Sequence, residues 1–202
     1  MFPICVFSQD TETNYTLYSK ILSERLELGK EVKDSVVIVD QFVNFFNIDD
    51  FSVFSSKSKA VSEIDLQTLY IQTYKDTIFL KRLYKETELQ KIISDFAANI
   101  KQDLKILPEK LQNPNLIVYP ITAKKFNLFF GKRRTPKSWE KLSRKYGSNK
   151  FIEFSKITYS ENFAVIYYAD RCGGLCGSGN IVVFEKVNGL WKILTEINLV
   201  MS

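Results

Sequence analysis

The sequence contains no histidine in its 202 residues. This absence excludes Ser-His-Asp and Cys-His catalysis and every histidine-ligated metal site, and it removes the side chain that titrates near neutral pH. Cysteine is scarce, with three residues, and a cysteine pair without histidine cannot supply the four ligands of a structural zinc site. We therefore expect no bound metal, no other cofactor and no catalytic activity.

Long apolar runs are also missing. No stretch reaches the ~18 apolar residues of a membrane span, so we expect a soluble mature chain without one. Hydrophobic residues make up 45% and charged residues 25% of the chain. That balance excludes collagen-like, coiled-coil and disordered chains, and it suits one compact domain or a main domain with a helical appendage.

Basic residues outnumber acids by 28 to 23 and concentrate in one segment. Between Lys124 and Lys150 the only acid is Glu140, and the basic residues are Lys124, Lys125, Lys132, Arg133, Arg134, Lys137, Lys141, Arg144, Lys145 and Lys150. The segment is either a solvated helix face with a loop or a patch for an anionic partner. Aromatic residues interleave with these charges, as in single-strand binders. Trp139 and Tyr146 also fit a core-facing helix stripe, which is the interpretation we prefer.

Residues 1–9 are apolar and give way to polar residues at Gln9. Val6 and Ser8 match the preferences of a signal-peptidase site. We expect residues 1–9 to be the remnant of an export signal, and hence a periplasmic or secreted protein. The alternative is an ordinary apolar N-terminal strand.

If Cys5 is removed with that signal, Cys172 and Cys176 are the remaining pair. In an oxidising compartment they are expected to form a disulfide, which would contribute about 2 kcal/mol in the chain-entropy model. Inert thiols and redox chemistry are the alternatives, although a thioredoxin-type site has two intervening residues at a helix N-terminus and this pair has three. The glycines around the pair indicate a long β-hairpin connection. Contact with a ligand is the other interpretation, and no phosphate-binding motif is present.

The first half of the chain predicts mainly helices. Apolar spacing indicates a helix over Asn14–Leu28 and another that follows a capping box at Thr87–Gln90, with a helix beginning at Ser62 between them. The β-branched run within Asp34–Asp40 predicts a buried strand. Residues 42–61 give no clear assignment. Pro108 and Pro114 mark a seam, which divides a mainly helical part (10–110) from a sheet part (111–202), unless the two form one continuous domain.

The second half predicts a helix and then a sheet. Thr135 as N-cap, Pro136 at the first helical position and Gly147 after the end define a helix over Thr135–Tyr146. The period then changes to two, which predicts strands over Phe151–Tyr159 with a bulge near Ser155, Phe163–Ala169, Asn180–Val187 and Leu190–Val200, the last two joined by an Asn-Gly turn. The predicted fold is α+β: N-terminal helices, then the Trp139 helix packed on a C-terminal antiparallel four-stranded meander.

The last third of the chain resembles a group of uncharacterised exported proteins of Bacteroidota-type bacteria. The matching motifs are Phe154-Ser155-Lys156-Ile157, Ala164-Val165-Ile166-Tyr167, the Cys172–Gly179 loop and Gly189-Leu190-Trp191-Lys192-Ile193. The ending Val200-Met201-Ser202 departs from the Trp-Ile-Ser close of that group. More loosely, the predicted architecture is similar to the nuclear-transport-factor-2-like and cystatin-like folds, which include enzymes and binding modules. The resemblance implies no established activity and assigns no catalytic residue.

We therefore expect an exported binding or interaction module without catalytic activity, whose partner is an unidentified protein or small ligand. The expected contact residues are Arg171, Gly173, Gly174, Leu175 and Gly177 of the loop, and Lys132, Arg133, Arg134, Lys137, Lys141 and Arg144 of the basic segment. One alternative is a pocket enzyme on the nuclear-transport-factor-2-like scaffold, with Asp170 or one of Tyr159, Tyr167 and Tyr168 as acid or base. Another is binding of nucleic acid or an anionic surface through residues 124–150, although export argues against nucleic acid.

Overall fold

The computed structural model describes residues 11–26, 28, 34–40, 77–100, 105–111, 113–131, 136–173 and 176–201. Their α-helices are α1 (Thr11–Glu24), α2 (Thr77–Lys85), α3 (Thr87–Asn99), α4 (Ala123–Phe130) and α5 (Pro136–Tyr146), with a 3-10 turn at Pro108–Lys110. The strands are β1 (Asp34–Val39), β2 (Leu116–Ile121), β3 (Lys150–Phe154), β4 (Thr158–Tyr159), β5 (Phe163–Cys172), β6 (Cys176–Val187) and β7 (Leu190–Met201). The predicted α+β class is confirmed.

All the strands belong to one mixed sheet with the order β2-β1-β3-β5-β6-β7, and β4 pairs with β5. The C-terminal strands β3, β5, β6 and β7 form the predicted antiparallel meander. Strand β1 is fully buried from Val36 to Val39, as its β-branched run predicts. It runs parallel to both β2 and β3, so the two sides of the predicted seam share one sheet.

The sheet has two covered faces. Alternation along β1 sends Val37 and Val39 to one side, here the front face, and Val36 and Ile38 to the other, the back face. Helix α1 and the segment 105–111 cover the back face. On the front face, α2 and α3 pack on the meander.

Helix α5 covers the front face at β1 and β3. Its Leu142 and Tyr146 join Val37 and Phe151 in one buried cluster, with α4 alongside. The sequence predicts that α5 packs on the meander. In the structure α5 contacts the meander through its first strand, β3. On the front face, the remaining meander strands are covered by α2 and α3 instead.

Helix α5 begins at Pro136 and ends at Tyr146, as predicted. Gly147 follows with φ +64°, and its N–H donates to the Ser143 carbonyl (2.8 Å). The N-cap prediction for Thr135 lies outside the described residues, as do residues 1–9, residues 42–61 and the helix predicted from Ser62.

The predicted capping box at Thr87 is wrong. Helix α3 starts at Thr87, with Glu86 at the N-cap and no side-chain capping bond. Helix α2 ends at Lys85, and only Glu86 separates it from Thr87. The side-chain amide of Gln90 therefore reaches back to α2 and donates to the Leu83 carbonyl (2.9 Å). Glu88 accepts from the backbone N–H (2.9 Å) and side chain (3.0 Å) of Asn162. Partial burial opposes ionisation, but these bonds hold the pKa of Glu88 below its ordinary value.

Two further boundaries differ from the sequence predictions. Helix α1 ends at Glu24 rather than at Leu28, although Leu28 is buried and its N–H donates to the Leu22 carbonyl (2.9 Å). The strand predicted over Phe151–Tyr159 is interrupted after Phe154, close to the predicted bulge. At that break the Ser155 hydroxyl oxygen accepts from the Tyr167 N–H (2.9 Å), and the Ser155 N–H donates to the Tyr167 carbonyl (2.9 Å).

Candidate functional site

The cysteine hairpin is tighter than the sequence predicts. Strand β5 continues to Cys172 and β6 begins at Cys176, so the connection shrinks from a long loop to three residues. The two cysteines form the last cross-strand pair, with Cα atoms 5.4 Å apart and sulfur atoms at disulfide distance. Gly174 and Leu175 lie outside the described residues.

Gly177 allows the Arg171 side chain to cross the hairpin. A Cβ atom at Gly177 would lie 2.5 Å from Arg171 Cδ and 2.7 Å from the Asp170 carbonyl oxygen, and its φ is +150°. The two residues are cross-strand partners, and Arg171 is half-buried. This pair therefore has a packing role in the hairpin, which the glycine spacing alone did not indicate.

The hairpin tip lies against helix α5. A Cβ atom at Gly173 would be 3.7 Å from Trp139 Cβ, and the Gly173 N–H donates to the Asn149 carbonyl (3.1 Å). The structure thus brings together the two elements that the sequence singled out, the cysteine loop and the basic helix.

A ladder of polar side chains crosses the back face near the hairpin. Ser178 donates to Asp170 (2.6 Å), Asn180 donates to Ser178 (2.6 Å) and Asn198 donates to Asn180 (2.8 Å). Beside the ladder, the Tyr168 hydroxyl donates to Glu196 (2.5 Å). Each of these side chains has at least one protein hydrogen-bond partner, as polar groups removed from water require.

A cavity of about 60 Å³ lies next to Asp170, and the residues that line it are Leu26, Leu28, Lys150, Ile152, Asp170, Arg171 and Cys172. Ligand pockets are typically ~300–1,000 Å³, so this one has room for a few water molecules. Burial raises the pKa of Tyr159, Tyr167 and Tyr168 above its ordinary range. These hydroxyls stay protonated at neutral pH.

The basic side chains of α5 form one exposed stripe. Trp139, Leu142 and Tyr146 pack inward, as predicted. At ~100° per residue, the exposed Lys137, Lys141, Arg144 and Lys145 occupy an arc of about 100° on the outer surface. Trp139, which touches the hairpin tip, lies outside that arc.

Helix α4 extends the stripe. Its N-terminus is capped by Thr122, whose hydroxyl oxygen accepts from the Lys125 N–H (3.2 Å). Lys124 is exposed and Lys125 half-buried. The Lys125 ammonium lies 5.6 Å from the Tyr146 ring centroid, and the Lys145 ammonium 5.8 Å from the Phe129 centroid. We call Lys124, Lys125, Lys137, Lys141, Arg144 and Lys145 the basic patch. The predicted contacts Lys132, Arg133 and Arg134 lie outside the described residues.

The aromatic residues of this segment form the core below the patch. Phe126 packs edge-on against Phe151 (4.7 Å between centroids), Trp139 stacks on Phe151 (5.6 Å) and Phe130 meets Trp139 (4.8 Å). This confirms the core interpretation of Trp139 and Tyr146. One apolar side chain points outward: Leu128 is 81% exposed. Its exposure was not foreseen, because three of its α4 neighbours are phenylalanines.

Comparison of the chain with protein-family models, curated proteins and solved structures gave no match in any of the three. The resemblance to exported Bacteroidota-type proteins and to the nuclear-transport-factor-2-like fold therefore stays a prediction. Within the described ranges, no helix has the length and apolar character needed to cross a bilayer. Nor does that part of the chain gather three acidic or cysteine side chains into a group that could hold a metal ion.

Proposed function

We propose that the protein is a binding module without catalytic activity that uses the basic patch to hold an anionic partner. One observation carries this proposal: α4 and α5 carry six cations against a single acid, Glu140, and none of the six forms an ion pair with another described residue. A cluster in which one sign predominates attracts and retains oppositely charged partners.

Some cations elsewhere in the described structure are paired with acids. Arg82 binds Glu86 and Glu185, Lys91 binds Asp95 and Arg25 binds Glu196. A merely solvating surface would mix both signs, as these regions do. The excess of six cations over one acid, Glu140, on α4 and α5 therefore favours an external partner over a solvated helix face.

The binding module is further proposed to be exported. Support comes from the Cys172–Cys176 pair, because a disulfide across a hairpin tip is typical of oxidising compartments. Protein taken from its native cells under acid quench should resist alkylation at both cysteines and begin near Gln9. Free thiols on a chain that retains Met1 would contradict export.

The test of binding is affinity for a polyanion such as heparin. Lys137→Glu with Lys141→Glu reverses an i,i+4 lysine pair inside the patch. Lys81→Glu with Lys85→Glu makes the same change on α2, where both side chains are also exposed. The patch variant should elute at much lower salt, and the α2 variant close to the wild type, because local charge dominates screened interactions. Equal elution of the two variants would overturn the proposal.

A further inference from the structure

We infer that the anionic partner is a lipid bilayer surface, with Leu128 entering the membrane while the basic patch binds the headgroups. This inference rests on the proposed function and adds a partner class to it. Leu128 is 81% exposed, the most exposed of the described large hydrophobic residues that project into solvent. It lies three and four residues after Lys125 and Lys124, which makes the three side chains neighbours on the helix surface.

The packing of α4 holds Leu128 outward. Phe126 and Phe130 are buried on the sheet side of the same helix, and their contacts with Phe151 fix its rotation. Phe129, half-buried, lies at the boundary of the patch. A projecting leucine bordered by lysines is the arrangement of helices that lie in a membrane interface, where apolar side chains reach the acyl boundary and cations meet anionic headgroups.

Two lysines have the geometry that such docking uses. The ammonium groups of Lys125 and Lys145 lie 5.6–5.8 Å from the Tyr146 and Phe129 ring centroids. Long basic side chains laid along apolar surface keep their charge at the polar boundary while the stem contacts the apolar layer. Neither lysine forms an ion pair with another described residue, and Lys125 precedes Leu128 by three residues on α4.

The surface suits nucleic acid and protein partners less well. Single-strand binders offer open aromatic faces on which bases stack. Here Lys145 lies over the Phe129 ring, and Phe126, Phe130 and Trp139 pack against each other or against Phe151. Protein interfaces concentrate binding energy in Trp, Tyr and Arg rather than in Leu.

The test is cosedimentation of the full chain with vesicles of phosphatidylcholine alone or of phosphatidylcholine and phosphatidylglycerol in equal parts. The wild type should bind only the anionic vesicles. Leu128→Gln should weaken that binding about tenfold, since the side chain loses its transfer into the apolar layer. Leu190→Gln is the matched control, because Leu190 is 67% exposed at the β6–β7 turn, and it should bind like the wild type.

The outcomes separate the two proposals. Equal binding by Leu128→Gln and the wild type, or equal loss in both leucine variants, would overturn insertion of Leu128. Binding to heparin or an oligonucleotide through the patch, without binding to anionic vesicles, would overturn the lipid inference and leave the proposed function standing. Failure to bind any of these polyanions or vesicles would overturn both.

Discussion

Gly177→Ala tests the packing of the cysteine hairpin. The new methyl group would lie 2.5 Å from Arg171 Cδ and 2.7 Å from the Asp170 carbonyl oxygen. The arginine side chain can move away, but the carbonyl belongs to the neighbouring strand and is fixed by the ladder that pairs β5 with β6. The substitution therefore forces a shift of backbone rather than of a flexible side chain.

The expected cost has two parts. A φ of +150° is a glycine conformation, and holding another residue in such a region costs about 1–3 kcal/mol. Overlap with fixed neighbours adds about 1–3 kcal/mol. The free energy of unfolding should fall by about 2–6 kcal/mol, a large share of the ~5–15 kcal/mol typical of a domain.

Gly189→Ala is the control, because Gly189 has φ +79° and no heavy atom within 4 Å of an added Cβ. Its free energy of unfolding should fall by only about 1–2 kcal/mol, which is the cost of holding alanine in the left-handed backbone conformation. Urea unfolding of the oxidised protein measures both variants. The packing argument fails if Gly177→Ala is no more destabilising than Gly189→Ala.

Two other substitutions test the contacts between elements. Arg82→Met removes bidentate bonds to Glu185 (2.7 and 2.9 Å) together with the bonds to Glu86, and because Arg82 and Glu185 are about a quarter exposed the loss should be about 1–2 kcal/mol at neutral pH. Hydrogen bonding to Arg82 holds the pKa of Glu185 below its ordinary 4.5. The wild type should therefore have the larger free energy of unfolding above that pH, and the difference from the variant should vanish as the pH falls through the lowered pKa. A difference that persists when urea unfolding is measured at acidic pH would contradict this. Ser155→Ala leaves the buried Tyr167 N–H without its hydroxyl acceptor, which should cost about 1–3 kcal/mol and speed hydrogen exchange at that amide; unchanged exchange would refute the role of Ser155.

Local signals in the sequence predicted the elements that depend on local patterns. Helix α3 follows from apolar residues at helical spacing, and all of Leu89, Ile92, Ile93 and Phe96 are buried. The β6–β7 turn follows from Asn188-Gly189, whose positive φ values of 53° and 79° suit a tight hairpin.

Long-range pairing could not be predicted in the same way. Strand β2 was missed because Pro120 interrupts its pattern, and a proline is tolerated there only because β2 is an edge strand. Its partner β1 lies far away in the chain, so no turn signal connects them. The capping box failed for a related reason, since the helix that precedes Thr87 supplies other partners for Gln90.

In the candidate site, too, local patterns could be predicted from the sequence and long-range contacts could not. The spacing of α5 predicted a core-facing stripe of Trp139, Leu142 and Tyr146, and the structure buries Leu142 and Tyr146 with Trp139 packed against them. The outward position of Leu128 depends on which phenylalanines of α4 pack on Phe151, and that is settled by the sheet rather than by the helix sequence. The packing of Arg171 across Gly177 likewise depends on cross-strand register.

The exposed position of Lys137 and Lys141, away from the aromatic core, makes their charge variants informative. Helices α4 and α5 are held by Phe126, Phe130 and Trp139 against Phe151, and the patch forms no ion pair with another described residue. Lys137 and Lys141 are exposed and contact no acid among the described residues. Reversing their charge should therefore change stability by less than about 0.5 kcal/mol, as is usual for such surface positions. A loss of binding without a loss of stability can then be assigned to the interface.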